Sequence, residues 1–464
     1  MGDDMGAGAR DVRLASGTVR AWPAGHGGHG GGVVAARGIP YASLPDGPAG
    51  RFAAPGAPHA WEGVRDGREF GPVAPQSAEL PGAPVWDPEG PAGGAALTLN
   101  VWAPAAPASG AAGLPVLVWL HGGAYAFGSS AQPEFDGAAL AASGGGMVVV
   151  TLNYRLGHEG FGLVAGAPPN RGLLDQAAAL RWVRDNAAAF GGDPGNVTLA
   201  GQSAGATAVV CLMTLARGLF HRAIAHSAVG PVFSRGLAAR VAGLVEAEAG
   251  PAAAAGSAAL VAAADTVAAG GLRPYNPVVH GPVLDGDPLA AVDPGVDLLV
   301  CTASHEFWLM DAFGQGRRVR DGAELDAFAR WAGLPDGLTD GYRELMPGAS
   351  VADVYLAVHG DLLFGEYTRR LADAHEAAGG RTYRARYAGG WHGAEVPYAF
   401  GNAPGGPGEI TAAWAAFAAT GDPGWGAGAV REWRADGPPP GPPVPAPERT
   451  RALWEAFGYA PASR

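Results

Sequence analysis

Val197-Thr198-Leu199-Ala200-Gly201-Gln202-Ser203-Ala204-Gly205 is an apolar run that stops at a glycine, passes through a serine and reaches a second glycine two residues later. Residues 197–200 have the β-branched, apolar character and the length of a buried strand. The run 206–215 that follows is apolar nearly all round, as a helix buried beneath a sheet must be. Between them, the G-x-S-x-G spacing predicts a sharp strand-to-helix turn that holds the serine in strained backbone geometry. Gly is needed at both flanks because a Cβ there would collide with the neighbouring strand and helix. Ser203 Oγ is then expected to stand exposed at the helix N-terminus.

The same alternation extends upstream. Asp193-Pro194-Gly195-Asn196 reads as a turn, residues 173–190 have helical spacing, and Met147–Leu152 is a continuous apolar strand. Pro115-Val116-Leu117-Val118-Trp119-Leu120 is another buried strand and ends in the flexible loop His121-Gly122-Gly123-Ala124. Strands alternating with helices predict an α/β fold whose large, mainly parallel sheet is covered on both faces. Residues 33–42 and 97–102 read as a small N-terminal sheet. The Ala-rich stretch 236–271 is expected to be a helical excursion over the site. After a Pro-rich connector at 437–447, residues 451–457 are predicted to form a last helix. The economical division is one domain over residues 1–464.

Composition narrows the function classes. Of 464 residues, 48% are hydrophobic and 16% charged, which supplies a large core and disfavours disorder. The formal charge of −12 argues against a broad nucleic-acid or anionic-membrane footprint, and neutral or cationic small molecules fit better. Met1-Gly2-Asp3-Asp4-Met5 is acidic and is followed by no apolar segment, and no stretch is apolar enough to span a bilayer. Cys211 and Cys301 lie in apolar surroundings and read as free buried thiols, so a cytoplasmic location is expected. Glycine clusters lack the context of a phosphate loop or dinucleotide site, and no Cys/His grouping has metal spacing. The chemistry is therefore expected to need no cofactor.

A serine nucleophile attacking a carbonyl requires preorganised N–H donors for the oxyanion that develops. Ala204 N–H is one by position, and Gly123 and Ala124 could supply two more from the loop after the 115–120 strand. Together with Arg37-Gly38-Ile39-Pro40-Tyr41-Ala42, Trp61-Glu62-Gly63-Val64-Arg65-Asp66, Leu99-Asn100-Val101-Trp102, Asn153-Tyr154-Arg155-Leu156-Gly157 and Phe190-Gly191-Gly192-Asp193-Pro194, these segments resemble the type-B carboxylesterase and cholinesterase family, in its bacterial para-nitrobenzyl-esterase-like form. The matches occur in the family's order and extend to about Asn402. The resemblance implies an α/β-hydrolase fold and a small-molecule ester substrate, cleaved by a Ser-Glu-His triad through an acyl-enzyme.

It also selects the partners of Ser203. Gly389-Gly390-Trp391-His392-Gly393-Ala394-Glu395-Val396-Pro397-Tyr398 resembles the family's histidine segment and implies His392 as the base. The acid falls on Glu306, after the strand-like run 298–303, although His305 replaces the family's Asp and Phe307 its Gly. Asp285 and Asp311 are the competitors. A second departure is Gly93-Gly94-Ala95-Ala96-Leu97, where the family has a Glu that braces the arginine corresponding to Arg155 and a disulfide Cys. Arg155 must find another partner. Two other functions share the sequence features: an acyltransferase or lactone-forming enzyme with the same triad, and a non-catalytic binding protein. The aromatic residues Phe127, Phe233, Phe307, Trp308 and Trp391 are candidates for pocket walls or for plain core packing.

Overall fold

Val116, Val118 and Leu120 point into one hydrophobic cluster while Leu117 and Trp119, on the alternate positions of the same strand, point into another. A strand apolar at every position is thus buried on both faces. The computed structural model describes residues 8–26, 29–77, 86–87, 96–106, 113–230, 232–273, 275–276, 278–312, 318–406 and 408–459. Gly93-Gly94-Ala95 lies outside the described residues.

In chain order the strands are β1 (Arg10–Leu14), β2 (Gly17–His26), β3 (His29–Pro40), β4 (Val64–Asp66), β5 (Thr98–Pro104), β6 (Leu114–Leu120), β7 (Val148–Leu152), β8 (Gly192–Gln202), β9 (Arg222–His226), β10 (Asp297–His305), β11 (Thr382–Trp391) and β12 (Val430–Arg434). The described residues form a 12-stranded sheet in the order β1-β2-β3-β5-β7-β6-β8-β9-β10-β11-β12, with β4 beside β2. From β7 to β12 along this path every pairing is parallel. The small N-terminal sheet expected from the sequence is the antiparallel end, hydrogen-bonded onto the parallel part where β5 meets β7.

The turn expected at residues 193–196 is a bulge inside β8. Leu114 pairs with Gly192 and Val116 with Val197, so the intervening residues of β8 loop out, and Asp193 Oδ1 accepts the Gly195 N–H at 2.8 Å. Helices Arg171–Asn186 and Ala204–Leu215 supply Leu173, Leu180, Val209 and Leu212 to one face of the sheet. Glu409–Thr420 covers the other, with Trp414 against Trp119. The excursion is a pair of helices, Arg235–Ala249 and Ser257–Ala269, packed around Leu237, Val241, Val245 and Leu260. The last helix runs Pro447–Trp454, starting four residues earlier than its apolar pattern suggested because Pro447 suits a first helical turn.

The parallel topology gathers the candidate site residues at one edge of the sheet. Ser203, Glu306 and His392 are each the first residue after the C-terminal end of β8, β10 and β11, and His121 is the first after β6. Parallel neighbours end at the same edge of the sheet, where ligand sites of open α/β sheets lie.

Arg155 has found its partner in Asp175, on the buried face of the helix Arg171–Asn186. Its Nε and Nη2 donate to the two carboxylate oxygens at 2.8 and 2.6 Å, and its Nη1 donates to the carbonyls of Arg51 and Ala53 at 2.7 and 2.8 Å. Both side chains are fully buried. Burial alone would lower the guanidinium pKa, but the Asp175 charge and hydrogen bonds outweigh it and raise it. Asp175→Asn leaves that cation without a charged partner, so the variant should lose about 3–5 kcal/mol of stability in guanidinium denaturation. A loss below about 1 kcal/mol would show that the pair is dispensable.

Candidate active site

Ser203 sits at φ 58°, ψ −124°, in the strained conformation that the glycine spacing predicts. A Cβ on Gly205 would lie 2.1 Å from the Leu120 carbonyl oxygen, and one on Gly201 2.5 Å from the backbone of Gly205. Strand β6 and the following helix therefore approach too closely for any other residue at either position. Ser203 N–H donates to the His226 carbonyl at 2.9 Å, which ties the elbow to β9. The side chain is 8% exposed and lines a cavity.

His392 and Glu306 come together. Nδ1 of His392 lies 2.6 Å from Glu306 Oε2, and Phe364 packs on the imidazole with ring centroids 4.0 Å apart. The other carboxylate oxygen, Oε1, accepts from Ser227 Oγ at 2.5 Å and from the Ala303 N–H at 2.8 Å. Asp285 is 88% exposed beside Arg235 and does not meet the histidine. The altered neighbours of Glu306 turn elsewhere. His305 reaches Ser304 Oγ and the Pro442 carbonyl, anchoring the Pro-rich tail, while Phe307 stacks on His359.

Among the described residues, His392 Nε2 bonds the Gln202 side chain at 2.9 Å rather than Ser203 Oγ. An amide nitrogen only donates, so Nε2 must accept. That leaves the ring proton on Nδ1, facing Glu306, which is the tautomer a base needs. Sequence reading passed over Gln202 because the variable position before the serine of G-x-S-x-G carries no required chemistry.

The loop after β6 closes the site from the other side. Gly123 has φ 102°, and Ala124 and Tyr125 also have positive φ, at 54° and 60°. The Gly123 carbonyl accepts from the N–H groups of Ala126 and Phe127, turning the loop back on itself, and Gln76 clamps Gly128 through both its N–H and its carbonyl. Among the described residues neither Gly123 N–H nor Ala124 N–H has a backbone acceptor. Gly122 packs directly on the elbow, since a Cβ there would be 3.1 Å from Ser203 Cβ. Ala204 opens its helix, so its N–H is one of the four with no intrahelical partner.

Further supports were invisible in sequence. His226, behind the elbow, is buried with Nδ1 3.1 Å from Glu395 Oε1, joining β9 to the segment three residues past His392. The π-turn Asp361–Gly365 carries Phe364, and Gly360 just before it abuts Glu306. Asp361 itself is half-buried and hydrogen-bonded to Tyr342, and desolvation pushes its carboxyl from 3.8 up to about 7. An acid with a raised folded-state pKa destabilises progressively as pH climbs from its unfolded value through its folded one. That difference corresponds to about 4 kcal/mol at most. Asp361→Asn should therefore gain on the native protein by about 2–4 kcal/mol between pH ~4 and pH ~8 in denaturant titrations. A pH-independent difference would refute the raised carboxyl.

The cavity has a volume of 1110 Å³ and holds Ser203, His392, Gly123, Ala124 and Ala204 in its wall. Phe127, Phe233, Phe307 and Trp391 line it, whereas Trp308 packs in the core. The helix Ser257–Ala269 contributes Leu260 and Ala264, so the excursion does reach over the site.

The chain is similar to known esterases in sequence and in fold. A family model described as the carboxylesterase family matches residues 9–435. The para-nitrobenzyl esterase of Bacillus subtilis (strain 168) is 33% identical over 437 residues, 84% of this chain and 87% of that protein. The fumonisin B1 esterase of Sphingopyxis macrogoltabida is 34% identical over 441 residues, 83% of this chain and 78% of its own. Among solved structures, the Geobacillus stearothermophilus carboxylesterase EST55 superimposes with a TM-score of 0.80 at 32% identity, covering 96% of this chain and 100% of that one. The α/β-hydrolase architecture, the ordered motifs and the full-length relatives agree: the chain belongs to the carboxylesterase family, hydrolases of carboxylic esters.

Proposed function

We propose that Ser203, His392 and Glu306 carry out ester hydrolysis through an acyl-enzyme, with the N–H groups of Gly123, Ala124 and Ala204 as the oxyanion hole. The observation that carries this reading is the Glu306–His392 contact of 2.6 Å at the same cavity wall as the strained serine. Substrate entry frees His392 Nε2 from Gln202. Nε2 then takes the Ser203 proton as Oγ attacks the carbonyl, and the three N–H groups hold the oxyanion. His392 returns the proton to the leaving alcohol, and a water activated by the same nitrogen releases the acid. No cofactor enters this scheme.

The reading treats residues 1–464 as one working domain, supported by a sheet that runs from residue 10 to residue 434. It places the protein in the cytoplasm, in keeping with Cys211 and Cys301 as buried free thiols, and gives it small-molecule esters as partners rather than nucleic acid or membrane. No helix among the described residues is long and apolar enough to cross a membrane.

Treatment with an organophosphate tests the site directly. The expected result is one adduct, located by peptide mass spectrometry on Ser203, with loss of para-nitrophenyl ester turnover in step. Turnover that survives complete labelling, or an adduct elsewhere, would overturn the assignment. An added alcohol separates hydrolysis from acyl transfer: an ester product exceeding free acid would make the enzyme an acyltransferase on the same residues.

A further inference from the structure

Among the described residues, Arg273 is the least compensated of the buried arginines Arg155, Arg171 and Arg273. Arg155 has Asp175, Arg369 has Glu366 and Asp373, and Arg171 donates to the four carbonyls of His158, Glu159, Gly162 and Pro168. Arg273 is 7% exposed and lines the active-site cavity. Its one hydrogen bond is from Nη1 to the Val278 carbonyl at 2.7 Å, and its buried Nε has no partner among the described residues. No carboxylate among the described residues pairs with it.

The surroundings do not neutralise the charge. The guanidinium lies over the Phe233 ring, 5.2 Å from its centroid. The cavity's acids are Glu134, Glu159, Asp265 and Asp436; Glu159 is already held by Arg51 and Ser257, Asp436 accepts from Tyr398, and burial rather than any neighbouring charge is what shifts Arg273. His158 and His280, also on the wall, are pushed down by burial to about 4 and about 3, so both are neutral near pH 7. Burial lowers Arg273 only to about 10, which keeps it cationic there. A desolvated charge with one carbonyl for its five N–H groups is costly unless a ligand completes it.

Its position connects to the reacting serine. Phe233, beneath the guanidinium, faces Gly281, where a Cβ would touch both the Phe233 ring at 2.9 Å and the Tyr125 ring at 3.6 Å. Tyr125 follows Gly123 and Ala124 in the loop beside Ser203. Cation and serine therefore share one cavity, joined along a wall of two aromatic rings.

Resting on the esterase reading above, we infer that Arg273 is an anion subsite and that the preferred substrates are esters that also carry a carboxylate. The net charge of −12 disfavours anions at long range. At contact distance, a buried fork that can make paired charge-assisted hydrogen bonds outweighs that screened repulsion. The carboxylate is a spectator. The scissile ester takes up one water and yields an acid and an alcohol, and the anionic group stays unchanged on whichever half bears it.

Two matched pairs of esters distinguish the half concerned. On the acyl side, para-nitrophenyl hydrogen glutarate is compared with para-nitrophenyl pentanoate; on the alcohol side, para-carboxyphenyl pentanoate with para-carbamoylphenyl pentanoate. In Arg273→Met the anionic-to-neutral ratio of kcat/KM should fall at least about tenfold for one pair, with Arg273→Lys intermediate. Ratios that stay within about twofold for both pairs in the folded variant overturn the inference. Should the Met variant not fold, the native enzyme still decides. Glutaramate should inhibit pentanoate-ester turnover at least about tenfold more tightly than glutaramide, and equal inhibition overturns the subsite. Failure of the esterase reading looks different, since no ester of either kind would be cleaved and Ser203 would take no organophosphate.

Discussion

Ser203→Ala is expected to lower kcat/KM for para-nitrophenyl esters by at least about ten-thousandfold while leaving the protein folded. Losses near a millionfold in kcat follow removal of the serine in comparable triads, and the residue left behind comes from oxyanion donors and binding alone. Both survive here, because the Gly123 and Ala124 loop is fixed by Gln76 and by its own turn rather than by the serine side chain. Stability should hardly move. Alanine keeps the Cβ, the φ of 58° costs the same for either residue, and the bonds that pin the elbow are backbone ones: Ser203 N–H to the His226 carbonyl and Thr207 N–H to the Ser203 carbonyl. Thermal melting within about 2 °C of the native protein, with turnover below about one ten-thousandth, is the expected pair of results. A folded variant that keeps more than about a hundredth of native turnover would remove Ser203 from the reaction.

Ser203 was legible because its requirement is local: a strand, two glycines that admit no Cβ, and an all-apolar helix are written within twenty residues. The loop 121–124 was legible for the same reason, as the end of β6. His392 and Glu306 lie at strand ends far along the chain, and only the family resemblance could choose them among twelve histidines and many acids. Their partners were not legible at all. Asp175 reads in sequence as one more polar residue on an amphipathic helix, and only the fold shows it on the buried face beneath Arg155. Ser227 meets Glu306 across 79 residues and Gln202 meets His392 across 190, with no periodicity linking them. Substitutions beside Glu306 looked threatening because sequence lists neighbours in line. In the structure His305 and Phe307 turn to the Pro442 carbonyl and to His359, and the carboxylate is left facing the histidine.

The geometry around that carboxylate makes Glu306→Gln the second large effect, with kcat expected to fall about a thousandfold to ten-thousandfold at nearly unchanged stability. Among the described residues, the hydrogen-bond partners of the Glu306 oxygens are all donors when His392 is the working tautomer: Ser227 Oγ–H and Ala303 N–H at Oε1, and His392 Nδ1–H at Oε2. Glutamine offers one acceptor and one donating NH₂ in the same shape. Its NH₂ cannot sit at the Oε1 position, because the Ala303 N–H is fixed in the backbone and would face another donor. The amide oxygen must therefore take that position, and the NH₂ turns toward His392 Nδ1. Nδ1 then has to accept, which moves the ring proton to Nε2, the atom that must receive the Ser203 proton. The shape is kept and the base is disarmed, as in an Asp-to-Asn change in a serine triad. Steady-state kinetics should show the loss in kcat with KM little altered, and proton NMR of the imidazole should show the tautomer exchanged. A Gln variant within about tenfold of native kcat would show that Glu306 does not orient the base.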